Sequence, residues 1–190
     1  MKYLDIENWN RKEHYNHFKS LANPYFGVTV NVDVTKTFKK AKTQNNSFFA
    51  MYLHACLKAL NSIENFKYRI KEDKIAVYNA IHASATIARK DNTFGFSFIN
   101  YDEDFNKFHI NFLKEKERVL NSTDLFPPKY SENCIFCSAL PWLSFTSQIE
   151  PNSGVKNESI PKLAFGKTFL ENEKIKMPVA ITVNHALVDG

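Results

Sequence analysis

Apolar positions along the chain change their spacing several times, and each change predicts an element. From Asn8 to Leu21 the apolar Trp9, Phe18 and Leu21 interrupt a polar run, and Pro24 follows, which predicts a helix that stops there. Tyr25 to Val34 alternates strictly. Val28, Val30, Val32 and Val34 point one way and Thr29, Asn31 and Asp33 the other, the pattern of a half-buried strand. Lys36 to Lys42 reads as a solvated helix face. Asn46 and Ser47 offer a cap for an apolar helix from Phe48 to Leu60, with Phe49, Leu53, Leu57 and Leu60 on one face. Two hairpins follow: Tyr68–Ile70 with Ile75–Tyr78, and Ser84–Ala88 with Thr93–Ile99. Asp102 to Leu120 predicts a helix with Phe105, Phe108, Ile110, Phe112 and Leu113 as its apolar set. The last third is strand-rich: Cys134–Leu140, Lys162–Phe169 and Lys176–Val183.

Helices and strands mix without strict βαβ alternation, so the predicted class is α+β with a mixed or antiparallel sheet. The length of 190 residues suits one domain, and no linker, repeat or low-complexity stretch divides it. Three cysteines in so long a chain argue against a disulfide scaffold. No signal region opens the sequence and no apolar run is long enough to span a bilayer, so a cytoplasmic protein with no membrane role is expected. The net charge of +5 comes from interspersed charges, which excludes a nucleic-acid patch and leaves a weak pull on anionic small molecules. Seventeen phenylalanines spread along the chain predict an aromatic core or a greasy pocket.

The chemistry concentrates at the C-terminal end. The β-branched run Pro178 to Val183 delivers Asn184 and His185, followed by Ala-Leu-Val, Asp189 and Gly190. Histidine is suited to take a proton near neutral pH, and a strand end presents it rigidly. A lone histidine at such a junction is more often only structural, and the spacing to Asp189 leaves open whether that carboxylate orients the ring. Cys134 and Cys137 have the gap of a metal pair, but residues three apart in a strand face opposite sides and no second pair follows. No metal is expected.

Four segments, taken together, resemble the chloramphenicol acetyltransferases. They are Trp9-Asn10-Arg11-Lys12-Glu13-His14, Leu125-Phe126-Pro127, Cys137-Ser138 through Pro141-Trp142 to Ser147, and Asn184-His185 through Asp189-Gly190. Their order and spacing hold over essentially the whole chain. The resemblance implies a two-layer sandwich, a mixed β-sheet with helices packed on one face, as in CoA-dependent acyltransferases. Residues 1–190 would form a single acetyltransferase domain, C-terminally incomplete because the family continues into a closing helix.

The implied activity is O-acetylation of chloramphenicol, an antibiotic inactivation, with acetyl-CoA as co-substrate and no permanently bound cofactor. His185 would be the general base, its ring held partly by its own carbonyl, and Ser138 would meet the oxyanion. Asp189 would pair with Arg11 to brace the histidine loop. Trp142 and Lys167 would bind CoA, and Phe18, Phe26, Phe94 and Phe126 would line the acceptor pocket. The family assembles as a trimer with sites between subunits, so a homotrimer is implied. Asn184 replaces the first histidine of the family's pair. Gln148 and Glu150 replace apolar pocket residues, and Ala164 and Ser47 depart near CoA. Two alternatives follow: a different, more polar hydroxyl acceptor, or an inactive ligand-binding homologue.

Overall fold

The computed structural model describes residues 1–155 and 157–190. In chain order the elements are β1 (Lys2–Tyr3), α1 (Lys12–Ser20), β2 (Tyr25–Asp33), α2 (Thr35–Thr43) and α3 (Phe48–Ser62). A 3₁₀ turn at Glu64–Lys67 leads to β3 (Tyr68–Lys71), β4 (Lys74–Val77), β5 (His82–Ala88) and β6 (Phe94–Phe96). Then come α4 (Phe105–Leu120), β7 (Cys134–Leu140), β8 (Lys162–Gly166), β9 (Phe169–Glu171) and β10 (Lys174–Asn184).

The main sheet has the order β2-β10-β8-β7-β5-β6, with β9 paired to β10. It is mixed: β5–β7 and β7–β8 are parallel, while β8–β10, β2–β10 and β5–β6 are antiparallel. Alternation along the strands divides its faces. Ala83 and Ala85, Ile135 and Cys137, and Leu163 and Phe165 turn toward α3 and α4, meeting Leu53, Leu57, Phe108 and Phe112 in the larger core. Ser84, Phe136, Ser138 and Lys162 turn the other way, where no helix covers the sheet and a cavity opens. The expected two-layer α+β sandwich is thus present, with the helices on one face. A smaller sheet, β1-β4-β3, adds a second core in which Tyr15 of α1 packs with Tyr68, Ile75, Val77 and Leu187.

Local signals explain most elements. The Ser47 hydroxyl accepts from the Ala50 amide at 3.3 Å and starts α3, and the Asp104 carboxylate accepts from the Asn106 and Lys107 amides at the start of α4. Such caps satisfy amides that the helix itself leaves unpaired. The β9–β10 turn puts Asn172 at φ 48° and Glu173 at φ 61°, the left-handed pair that suits a tight hairpin.

Two expectations change. The valine row of β2 is not half-buried: Val28 is 52% and Val30 54% exposed. β2 is the edge strand, and its valines share the face of Val179 and Ile181 across the register, beyond the reach of the helices. In α4 only Phe108, Phe112 and Val119 are buried, while Ile110 and Leu113 face outward, because the stripe that meets the sheet is narrower than the apolar set.

Candidate active site

His185 follows the last residue of β10, and its amide donates to the Pro24 carbonyl at 2.8 Å. The turn behind it is built by Asn184, which is nearly fully buried. The Asn184 side-chain oxygen accepts from the Ala186 amide at 2.9 Å, and its amide donates to the Glu158 carbonyl at 2.9 Å. The Asn184 carbonyl also accepts from the Leu187 and Val188 amides. An asparagine can do both jobs because it offers a donor and an acceptor on one short side chain. The departure from the family's histidine pair therefore leaves the turn well supported.

The ring of His185 stacks on Phe18, with centroids 3.9 Å apart, and leans on Phe26 at 4.5 Å. Its Nδ1 lies 3.2 Å from the Val188 carbonyl and 3.2 Å from Asp189 Oδ1. Both partners can only accept, so in the neutral ring Nδ1 carries the hydrogen and the lone pair falls to Nε2. Among the described residues no hydrogen bond reaches Nε2. The ring is held by Val188 and Asp189 rather than by its own carbonyl, because a turn, not a helix, brings residues 188 and 189 back beneath it. The His185 carbonyl is engaged elsewhere: Arg11 donates to it at 3.2 Å, to the Ala186 carbonyl at 3.5 Å and to Asp189 Oδ1 at 2.6 Å.

Ser138 lies on the uncovered face of the sheet, in a cavity of about 540 Å³. Phe94, Phe126 and Phe96 form an aromatic wall there, with Phe96 and Phe126 stacked at 5.4 Å. Phe18 and Phe26 are not part of it; they flank His185. The four predicted pocket aromatics thus fall into two pairs at two places. The β-register measures the gap. Ser138 pairs with Ala164 and Ala164 with Ala180, and His185 lies five residues beyond Ala180. At strand spacings that puts Ser138 and His185 roughly 20 Å apart in one chain.

Trp142 and Lys167 come together at the far end of β7 and β8. The Lys167 amide donates to the Leu143 carbonyl at 2.8 Å, and Trp142 is 71% exposed. A Cβ on Gly166 would meet Phe145, Pro178 and the Leu143 carbonyl at 3.0–3.1 Å, so glycine is what lets the 141–145 turn lie this close.

Of the cavity's polar floor, sequence reasoning named Gln148 and Glu150, which do line it, and missed Lys162 and Glu158. The Lys162 ammonium is 3.0 Å from the Glu158 carboxylate and donates to the Pro151 carbonyl at 2.8 Å. It also lies 4.9 Å from the Tyr25 ring centroid. Burial would raise the Glu158 pKa, but hydrogen bonds from Ser153 and Lys162 outweigh it and hold the group below its ordinary value. Nearby, burial pushes the Glu150 carboxyl up, against the opposing pull of Lys162 and of the neighbouring Gln148 amide. The available signal was a lysine inside the apolar run Ile160 to Phe165.

The comparisons with known proteins converge on one family. The family model described as chloramphenicol acetyltransferase matches residues 1–190. A chloramphenicol acetyltransferase of Klebsiella sp is 30% identical over 188 residues, spanning 98% of this chain and 86% of that protein. One from Bacillus pumilus is 32% identical over 186 residues, spanning 97% and 84%. A solved chloramphenicol acetyltransferase superposes with a TM-score of 0.90 at 30% identity, covering 100% of this chain and 92% of the other. The dihydrolipoamide acetyltransferase of Azotobacter vinelandii, at 13% identity and a TM-score of 0.68 over 94% and 80%, shares the fold. The chain belongs to the chloramphenicol acetyltransferase family.

Proposed function

We propose that this protein transfers the acetyl group of acetyl-CoA to a hydroxyl of chloramphenicol, inactivating the antibiotic, with His185 as general base. The observation that carries the reading is the placement of that ring: Nδ1 faces two acceptors, so the neutral imidazole presents its lone pair at Nε2. Nε2 removes the proton from the acceptor hydroxyl, and the alkoxide oxygen forms a bond to the thioester carbonyl carbon. The Ser138 hydroxyl donates to the resulting oxyanion. The C–S bond then breaks, and the imidazolium returns its proton to the CoA thiolate. Products are the acetyl ester and free CoA, with no acyl-enzyme. Trp142 and Lys167 hold acetyl-CoA, the lysine near its phosphates.

The active assembly is a homotrimer with each site built between subunits. Support comes from the separation of His185 and Ser138, which no single acceptor bridges within one chain, and from the uncovered valine row on β2. One subunit supplies His185, Phe18 and Phe26; its neighbour supplies Ser138, Phe94 and Phe126. Acetyl-CoA dependence puts the reaction in the cytoplasm, and no described helix is long and apolar enough to cross a membrane.

The test is release of free thiol from acetyl-CoA with and without chloramphenicol, beside the His185→Ala variant. Chloramphenicol-dependent release that vanishes in the variant supports the reading. Release that persists in the variant removes His185 from the role of base.

A further inference from the structure

The floor of the Ser138 cavity holds charge that the transfer reaction does not use. Its walls are aromatic: Phe94, Phe96, Phe126 and Phe136. Against them stand three charged side chains, Glu150, Glu158 and Lys162. Lys162 and Glu158 satisfy one another, since the ammonium has the carboxylate and the Pro151 carbonyl, and the carboxylate also accepts from the Ser153 amide at 3.1 Å and from the Ser153 hydroxyl. Glu150 is different. Its Oε1 is buried and accepts no hydrogen bond among the described residues. A buried carboxylate oxygen without a donor is costly to keep, and the residue that carries it lines a cavity large enough for a small molecule.

Its position relative to the chemistry follows from the register. Phe136 faces Lys162 across β7 and β8, one same-face step along the strands from the Ser138–Ala164 pair. That step is roughly 7 Å. Glu150 lines the same cavity and interacts electrostatically with Lys162 and with Cys137, the neighbour of Ser138, so its carboxylate serves the stretch between Ser138 and the Lys162 end. An acceptor with its reacting hydroxyl at Ser138 meets Glu150 with another part of its body.

Building on the acetyl-transfer reading, we propose that Glu150 is an acceptor-specificity residue. Its under-satisfied carboxylate receives a hydrogen bond from an N–H, O–H or ammonium donor on the acceptor, on a part of the molecule away from the acetylated hydroxyl. The Lys162–Glu158 pair keeps that end of the cavity polar and close to neutral, so a donor is matched while an acceptor-only group such as nitro faces a carboxylate. Among aryl acceptors the protein favours those that carry a donor in place of the nitro group.

The experiment compares two acceptors in the thiol-release assay: chloramphenicol, and its analogue with a primary amine replacing the nitro group. Both are measured with the wild-type chain, Glu150→Leu and Glu150→Gln. Losing a hydrogen bond to a charged group lowers kcat/KM for the amine about 10- to 100-fold in Glu150→Leu. The same change raises kcat/KM for chloramphenicol, because no carboxylate then faces the nitro group. Glu150→Gln keeps an acceptor oxygen and falls between, which a purely structural role would not produce. If both acceptors change by the same factor in both variants, the assignment of Glu150 is overturned and the acetyl-transfer reading stands. If the wild-type chain releases thiol with neither acceptor, both readings fail.

Discussion

Arg11 holds the His185 turn through three bonds of unequal worth, and the difference is measurable. Its guanidinium is largely buried, at 14% exposure, while the Asp189 carboxylate is 49% exposed. A half-exposed pair is screened by water and contributes about 0–1 kcal/mol despite its 2.6 Å contact. The bond to the His185 carbonyl, at 3.2 Å, is charge-assisted and contributes about 1.5–3 kcal/mol. The 3.5 Å approach to the Ala186 carbonyl lies beyond good hydrogen-bond range and adds little. Packing over the Trp9 ring, at 5.3 Å, adds about 0.5–1 kcal/mol. Arg11→Met is therefore expected to cost about 2–5 kcal/mol, and Asp189→Ala about 0–1 kcal/mol. The resemblance alone implied a buried pair, for which removing either partner costs about 3–5 kcal/mol. Urea unfolding of both variants at one fixed protein concentration separates the two accounts, since assembly makes stability concentration-dependent. An Asp189→Ala variant as destabilised as Arg11→Met would refute this reasoning.

Other consequences can be checked in the same way. Val30→Lys places a charge in the exposed valine row and should shift sedimentation from trimer toward monomer with loss of activity; an unchanged trimer would exclude β2 from the interface. Glu158 is held below its ordinary value of 4.5, so its stabilising contribution is complete above about pH 4.5 and is lost as pH falls through the lower folded value. On acidification from pH 7, wild type should lose more stability than Glu158→Gln; parallel losses would contradict the Lys162–Glu158 pairing. Gly166→Ala should raise KM for acetyl-CoA, because the new Cβ displaces the turn carrying Trp142; displacement without a KM change would remove Trp142 from the CoA site.

Elements with local causes were legible in the sequence. The Ser47 cap and the Leu53–Leu57–Leu60 stripe set α3 where the pattern puts it, and the Lys71–Lys74 turn joins β3 to β4. Burial was less legible, because alternation names the two faces of a strand but not what covers them. The β2 valines have the correct period and no cover, since the neighbour of an edge strand is a tertiary fact. The candidate site was readable through the family resemblance as residue types, His185, Ser138, Arg11 and Asp189, together with the Arg11–Asp189 contact. The rest of its geometry was not. Nothing in the linear spacing says that the Asn184 side chain builds the turn, that Val188 rather than His185 supplies the carbonyl for Nδ1, or that Lys162 turns into the cavity to meet Glu158.

The central claim is that His185 of one subunit acts on substrate held at Ser138 of another. Subunit complementation tests it directly: His185→Ala and Ser138→Ala chains are unfolded, mixed in equal amounts and refolded together. Each variant alone should be impaired, Ser138→Ala by about 10²–10³ in kcat. Random reassembly pairs an intact His185 with an intact Ser138 at about one quarter of interfaces. Thiol release should recover toward that fraction of wild-type activity. A mixture no more active than the separate variants, with mixed trimers demonstrated, would contradict a site shared between subunits.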